Sequence, residues 1–357
     1  MARKTPLHQA HVDAEARMVE FAGWSLPIRY GSLKEEHHAV RDSAGMFDVS
    51  HMTVVDLQGP GARDGLRRLL ANDVDKIGED GQAIYGCMLD ENGGILDDLI
   101  TYRIEDGFYR LIVNAATREY DLEWIRRQMS DFELEIHERD DLAMIAVQGP
   151  NAIERVVDAL KVPKLAELKP FRSLMHGDCF IARTGYTGED GCEIVLPADS
   201  AEPLWKELVE RGVRPCGLGA RDSLRLEAGL NLYGQDMTVE TTPLESNLAW
   251  TVAFEPGDRQ FIGRDALEAQ KSAGVQRKLV GLVFGAGGIP RTGARVFGND
   301  GEGLVTSGGF GPTVDRPIAM ARVPVETEGS VEVELRGKRL DAEVVKLPFV
   351  RKGRSIV

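Results

Sequence analysis

Residues 83–102 read Ala83-Ile-Tyr-Gly-Cys-Met-Leu-Asp-Glu-Asn-Gly-Gly-Ile-Leu-Asp-Asp-Leu-Ile-Thr-Tyr102. Ala83 to Leu89 is strand-like, Asp90-Glu-Asn-Gly-Gly supplies residues that tolerate positive φ, and Ile95 to Tyr102 resumes a strand. The stretch therefore predicts an antiparallel hairpin whose returning strand carries two carboxylates, Asp97 and Asp98. Leu111-Ile-Val-Asn114 is a further strand that leads into a helix from about Ala116 to Met129. A β-meander followed by a helix, in place of regular strand–helix alternation, puts the chain in the α+β class.

Working back toward the N-terminus, Ser32 to Ser43 reads as a polar helix. Met52-Thr-Val-Val-Asp-Leu-Gln-Gly alternates as a strand into the Gly59-Pro60 turn, and Gly61 to Asn72 reads as a helix. Working forward, Leu142 to Asn151 repeats the strand-then-Gly-Pro pattern, which suggests two similarly built α+β units. The second would hold a strand around Cys179 to Thr184, the turn Gly185-Tyr-Thr-Gly-Glu-Asp-Gly and a strand from Cys192. Helices follow near Ala201 to Arg211 and Gly219 to Ala228. From about Lys278 come short β-rich runs broken by Gly and Pro, starting at Leu279, Ala294, Gly303, Ile318, Val331 and Ala342. Their spacing predicts a small antiparallel barrel or sandwich. The boundary falls between Glu268 and Lys278, giving units 1–272 and 273–357.

The chain has 357 residues, beyond the roughly 250–300 at which single cores stop growing, so two or three domains are expected. No apolar run is long enough for a membrane span, and the start, Met1-Ala-Arg-Lys-Thr-Pro-Leu-His, shows no secretory or transit pattern, so the cytoplasm is the expected compartment. Cys87, Cys179, Cys192 and Cys216 stand far apart and read as reduced, mostly buried thiols. A net charge of −14 disfavours non-specific nucleic-acid binding but leaves room for one basic patch. None of the seven histidines forms a zinc pattern, so no metal site is expected.

Asp97 and Asp98 are strand neighbours and point to opposite faces; alternation groups Asp98 with Ile100 and Tyr102, and Asp97 with Leu99 and Thr101. Pattern does not decide which enters a pocket. The bland reading has one Asp facing solvent and the other bonding the Gly93-Gly94 turn. Glu189 reads as an ordinary solvated residue of a tight hairpin. Glu193 lies in a strand, where a buried carboxylate can accept paired N–H donors from a heterocycle. Arg221 and Arg225 share a helix face, which by pattern alone is a surface salt-bridging with Asp222 and Glu227. Asp48, Ser50 and His51 lie too close in sequence to make a nucleophilic triad. The Gly185 turn lacks the Lys-Ser/Thr of a phosphate loop.

Seven segments stand in order along the whole chain: Thr5-Pro-Leu-His, Phe21-Ala-Gly-Trp-Ser-Leu-Pro-Ile-Arg-Tyr, Met46-Phe-Asp-Val-Ser-His-Met, Asn92-Gly-Gly-Ile-Leu-Asp-Asp-Leu-Ile, Gly185-Tyr-Thr-Gly-Glu-Asp-Gly, Gly217-Leu-Gly-Ala-Arg-Asp-Ser-Leu-Arg-Leu-Glu-Ala-Gly and Pro348-Phe-Val. Together they resemble the T-protein (aminomethyltransferase) family of the glycine cleavage system. Folate-linked dimethylglycine or sarcosine oxidoreductases share the fold but add a flavin domain, and no dinucleotide fingerprint stands near this N-terminus. Relatives in iron–sulfur assembly use a Cys-containing motif that is missing here.

The resemblance implies a multi-domain α+β folate-binding aminomethyltransferase fold, with domains around a central hole and a C-terminal antiparallel β-barrel. It implies that the acting aspartate is Asp98, and that Tyr85, Asn114, Tyr186, Glu193 and Arg221 contact tetrahydrofolate, the one-carbon acceptor, with no metal, flavin or nicotinamide. Glu193 is expected to grip the pterin N–H groups and Arg221 a pterin oxygen or ring nitrogen. The implied partner is lipoylated H-protein, whose aminomethyl group yields 5,10-methylene-tetrahydrofolate, ammonia and dihydrolipoyl H-protein. Asp98 is expected to stabilise the cationic one-carbon species, or to take a proton as N10 attacks, and an ordinary Asp pKa of about 3.9 favours the first role. Two alternatives stay open: a folate-dependent demethylase or methyltransferase using a small methyl donor, and a non-enzymatic folate-binding sensor or assembly factor.

Overall fold

The structure, a computed structural model, describes residues 2–285 and 288–357. Met1, where the reading of the chain's start begins, lies outside them. The predicted hairpin is present as strands Ala83–Leu89 and Ile95–Glu105. Asp90 closes the turn: its Oδ1 accepts from Asn92 N at 2.9 Å and Gly94 N at 2.8 Å. That corrects the bland reading of the aspartate pair, because the turn already has its own carboxylate.

The hairpin continues into Phe108–Val113, then Thr53–Gln58 and Glu135–Glu138, as a five-stranded antiparallel sheet. A second sheet has six strands, in the order Ser173–His176, Cys179–Ala182, Gly191–Pro197, Leu142–Gln148, Gly45–Asp48 and Arg214–Pro215. The two sheets pack face to face. Val54, Ala83, Tyr102 and Ile112 of the first meet Phe47, Met144, Ala146, Phe180 and Val195 of the second in one apolar cluster. Each sheet's other face is covered by helices: Ala62–Leu69 and Arg118–Gln128 on the first, Ala152–Leu160 and Ala198–Glu210 on the second. Four layers result, and each fully buried Leu or Val in them contributes about 2 kcal/mol of transfer free energy.

The repeated Gly-Pro turn has a steric reason. A Cβ on Gly59 would lie 2.5 Å from Glu133 O, and one on Gly149 2.5 Å from Ser43 O, so both strand-to-helix turns need glycine where another backbone approaches. Residues beyond Asn231 wrap the edge of the first sheet, where Met237, Leu248, Val252, Phe261 and Leu267 pack on Cys87, Leu89 and Ile95. The six late β-runs close into one barrel, antiparallel at every pairing, opened by Arg277–Phe284. The barrel alternative of the sequence reading is therefore the one realised.

Helix Leu218–Glu227 packs between the second sheet and the barrel, which corrects its reading as a solvated, salt-bridging surface. Arg225 is buried and pairs with Asp236 at 2.8 Å as well as with Asp222, while Glu227 pairs with Arg41 at 2.9 Å and not with an arginine of its own helix. Glu189, expected in solvent, is tied to Arg41 at 2.6 Å. Among the described residues no helix is long and apolar enough to cross a membrane.

Candidate functional site

The site forms where the inner face of the hairpin meets the Gly185 turn and the start of helix Leu218–Glu227. Asp98 is fixed from two sides: Tyr85 donates its hydroxyl to Oδ2 at 2.8 Å, and Asn114 Nδ2 donates to Oδ1 at 2.9 Å. Register explains the first contact, since Tyr85 and Asp98 project from facing strands two positions apart along the ladder, with Tyr85 opposite Ile100. Asn114 is the first residue after Phe108–Val113, where the chain leaves the sheet and frees its side chain to turn back across Asp98.

Burial pushes the Asp98 carboxyl up to about 7, and the neighbouring Asp97 carboxyl adds to the shift; the Tyr85 and Asn114 hydrogen bonds pull the other way. The objection that an aspartate is too weak a base at neutral pH therefore does not apply here. Asp97 points the opposite way, as alternation requires, and is 0% exposed, receiving Asn114 N at 3.0 Å and Asn114 Nδ2 at 2.8 Å.

At the other end of the site Glu193 accepts the Thr184 hydroxyl on Oε2 at 2.6 Å, and Tyr102 shares that hydroxyl at 3.0 Å. Burial raises the Glu193 pKa, against the Thr184 bond and the charge of Arg221. Arg221 lies over the Tyr186 ring, 4.7 Å from its centroid. Its Nη1 is buried without a hydrogen-bond partner among the described residues, an expensive condition for a guanidinium N–H. Tyr186, whose hydroxyl donates to Asn231 O, feels the charges of both Asp98 and Arg221 and so stands between the two ends.

All six residues singled out from the sequence, Tyr85, Asp98, Asn114, Tyr186, Glu193 and Arg221, thus gather in one place. Others escaped the sequence reading. Trp250, 65% exposed, stacks on Tyr85 with ring centroids 5.8 Å apart. A lone Trp in an irregular segment gives no sign of its neighbour. His51 is buried beside Arg221, and burial followed by that positive charge lowers it to about 4, so it is neutral. Asp48 does not pair with it. Asp48 accepts from Thr5 at 2.6 Å and lies 2.9 Å from His11, while Ser50 Oγ bonds Met144 O. Asp121, 0% exposed, did leave a signal: it precedes Trp124 and Ile125 by three and four residues, on the buried face of its helix. All four cysteines are free thiols, and Cys179 alone is not fully buried. Among the described residues no group of three or more His, Cys, Asp or Glu side chains is arranged to hold a metal ion.

The arrangement offers a proton acceptor near neutrality at one end, and at the other a carboxylate with a free oxygen beside a guanidinium with a free N–H. Residues 7–256 match the family defined by the GCVT N-terminal domain, and residues 277–351 match the glycine cleavage T-protein C-terminal barrel domain. The aminomethyltransferase of Methylococcus capsulatus is 54% identical over 358 aligned positions, covering 100% of this chain and 99% of the relative. That of Legionella pneumophila is 52% identical, covering 100% of both. The crystal structure of glycine cleavage system aminomethyltransferase T from Bartonella henselae superposes with a TM-score of 0.93 at 39% identity, covering 99% of each chain.

Proposed function

The chain belongs to the glycine cleavage T-protein family and is an aminomethyltransferase, and from that premise we propose that it moves the one-carbon unit of an aminomethyl group, carried on the dihydrolipoyl arm of an H-protein, to tetrahydrofolate. The products are 5,10-methylene-tetrahydrofolate, ammonia and dihydrolipoyl H-protein. The observation that carries this reading is the pairing of unmet polar groups at the Glu193 end with a fixed, basic Asp98 at the other. Among the described residues Arg221 Nη1 has no partner, and of the Glu193 oxygens only Oε2 is engaged by a side chain. A pterin ring presents an N–C–N edge of donors and a carbonyl acceptor, which answers both.

Bound tetrahydrofolate supplies the nucleophilic nitrogens N5 and N10. The chain's part is positioning and charge. Glu193 and Arg221 orient the ring, Tyr186 stiffens the Arg221 guanidinium by stacking, and Tyr85 and Asn114 fix the Asp98 carboxylate. As an anion Asp98 stabilises positive charge on the transferred carbon, and its raised basicity suits it to take the N10 proton when the ring closes. Both roles are available to one carboxylate, in sequence.

The division into 1–272 and 273–357 belongs to the same proposal. It is supported by Leu267, which packs helix Arg264–Ala273 onto Ile95 and Cys87, and by the barrel opening at Arg277. Cytoplasmic residence is proposed with it, supported by cysteines that stand as free thiols.

The test is release of ammonia and methylene-tetrahydrofolate from aminomethyl-loaded H-protein, with and without tetrahydrofolate. Folate-dependent release is expected. Turnover of a free small methyl donor without H-protein, or folate binding with no transfer, would move the chain to the small-donor enzyme or the sensor.

A further inference from the structure

Behind Asp98 lies a carboxyl group that the transfer reaction does not call for. Asp121, in the first turn of helix Arg118–Gln128, is 0% exposed, and among the described residues no N–H donates to either of its oxygens. The Thr117 hydroxyl, one turn earlier, donates instead to Asn114 O at 3.2 Å. The groups nearest to bonding Asp121 are the carboxyl of Asp97, itself 0% exposed, and that Thr117 hydroxyl. Among the described residues, no Lys, Arg or His forms an ion pair with Asp97, Asp98 or Asp121. The groups facing them are Tyr85 and Cys87 from strand Ala83–Leu89, Asn114, Tyr186 from the Gly185 turn, and Tyr233 from the wrapping segment. Burial pushes those phenols and that thiol up, so they are neutral and offer no compensating positive charge.

Two ionised carboxylates in contact in a dry interior repel too strongly to persist, and sharing a proton is how such pairs are accommodated. Burial raises both carboxyls, and the Asp121 charge raises Asp97 further, but the hydrogen bonds made to each say where the proton sits. Asp97 already accepts two N–H groups from Asn114, as an anion does, whereas Asp121 accepts none. We propose that Asp97 and Asp121 hold one proton between them, with Asp121 the carboxylic acid and Asp97 the anion, and that this pair is the positioning device for Asp98.

Its effect passes through Asn114, whose Nδ2 reaches Asp97 Oδ1 at 2.8 Å and Asp98 Oδ1 at 2.9 Å together. The Asp97 anion fixes that amide, and the amide fixes Asp98. The pair also sets the charge behind Asp98 at one. A single negative charge strengthens Asp98 as a base; a second would keep it protonated throughout the working range and end its use as an anion. This consequence rests on the reading of Asp98 given above, but the proton count does not.

The count is read by infrared spectroscopy of the full-length protein in an Asp98→Asn background, so that Asp98 contributes nothing. A carboxylic-acid C=O band is expected to persist about 3 pH units above the ordinary Asp value and to vanish when Asp121→Asn is added. Absence of the band overturns the proposal, as does a band that survives Asp121→Asn and disappears in Asp97→Asn. The pH–rate profile gives the second readout. Asp97→Asn should lower the acid-side midpoint by about 1 unit or more, while Asp121→Asn, one neutral group for another, should leave the midpoint in place. A midpoint that moves with Asp121→Asn means that Asp121 is ionised, and sinks the idea. If the wild type shows no aminomethyl transfer, the functional reading fails while the infrared result still decides the proton.

Discussion

Tyr85 donates its hydroxyl to Oδ2 of Asp98 across 2.8 Å, from the facing strand of one hairpin, while the exposed face of Tyr85 carries the stacked ring of Trp250. A carboxylate held from one side by a phenol and from the other by the Asn114 amide cannot rotate freely, so its position is set before any ligand arrives.

Replacing Asp98 by Asn keeps the shape and loses both the negative charge and the proton acceptor. Turnover should fall by about 100-fold to 10,000-fold, the span usual for a lost general base or electrostatic partner. Folate affinity, measured by equilibrium binding, should change little, because the proposed ring contacts lie at Glu193 and Arg221. Near-normal turnover in Asp98→Asn with binding intact would falsify both roles assigned to it.

The raised Asp98 pKa gives two pH dependences of opposite sense. Its folded-state value of about 7 lies above the ordinary 3.8, so between those values the folded protein holds a proton that the unfolded chain has released. This group therefore makes folding stability decline as pH rises through that window, whereas the active anion becomes populated toward its upper end. Turnover should rise with an apparent midpoint near 7, and urea midpoints of Asp98→Asn should show a weaker decline than those of the wild type over the same range. A flat pH–rate profile from pH 5 to 8, the span on either side of an unperturbed His, would show that Asp98 does not control the reaction.

Glu193→Gln swaps an acceptor for a donor at one corner and leaves Arg221 without its charge partner in a buried site. Folate binding should weaken by about 1.5–3 kcal/mol, the range for a hydrogen bond to a charged group. Turnover at saturating folate should suffer less, because Asp98 and its supports are untouched. Calorimetric titration set against saturating kinetics separates the two, and an unaltered folate Kd would remove Glu193 from the ring contact.

The hairpin, the paired Gly-Pro turns and the six barrel strands were legible because each is announced locally, by alternation of period two and by glycines where the backbone turns or crowds. Arg225 and Glu227 were misread for the same reason. Spacing along a helix reveals neighbours three or four residues away, but Glu227 meets Arg41 across 186 residues. The two faces of Asp97 and Asp98 followed from alternation; which face holds the proposed site depends on Asn114, Tyr186 and Arg221, brought close only by the packed sheets. Resemblance supplied those residues, and the pattern of the strand alone left the choice open. Asp121 was readable in principle as a carboxylate on the apolar side of its helix, but the carboxyl it faces, Asp97, lies on strand Ile95–Glu105 beneath that helix.

Glu227 ties three parts of the fold with one carboxylate, and this makes a prediction about stability independent of the reaction. Oε2 accepts Arg41 Nη2 at 2.9 Å and lies 3.1 Å from His37 Nε2, both on helix Leu33–Asp42, and Oε1 accepts Thr313 N at 2.7 Å from the barrel. Burial alone raises its pKa, but the His37 bond and the charges of His37 and Arg41 outweigh that and hold the group at about 2. Burial keeps His37 below its ordinary value and so neutral at pH 7, which leaves Arg41 as the compensating charge there. Because the folded pKa lies below the ordinary 4.5, the stabilisation is fully present above that value and is lost as pH falls from it through about 2. Glu227→Ala leaves the buried Arg41 guanidinium with Glu189 as its remaining carboxylate and takes the acceptor from Arg41 Nη2 and Thr313 N, and should cost about 1.5–3 kcal/mol, the range for a hydrogen bond to a charged group. Glu227→Gln, which keeps the acceptor oxygen, should cost less and weaken the loss of stability in acid. Urea unfolding of the three proteins from neutral pH down to about pH 3 measures both effects, the mutational cost at neutral pH and the acid loss below the ordinary Glu value. An Ala variant as stable as wild type at neutral pH would mean that this carboxylate does not hold the barrel to the helices.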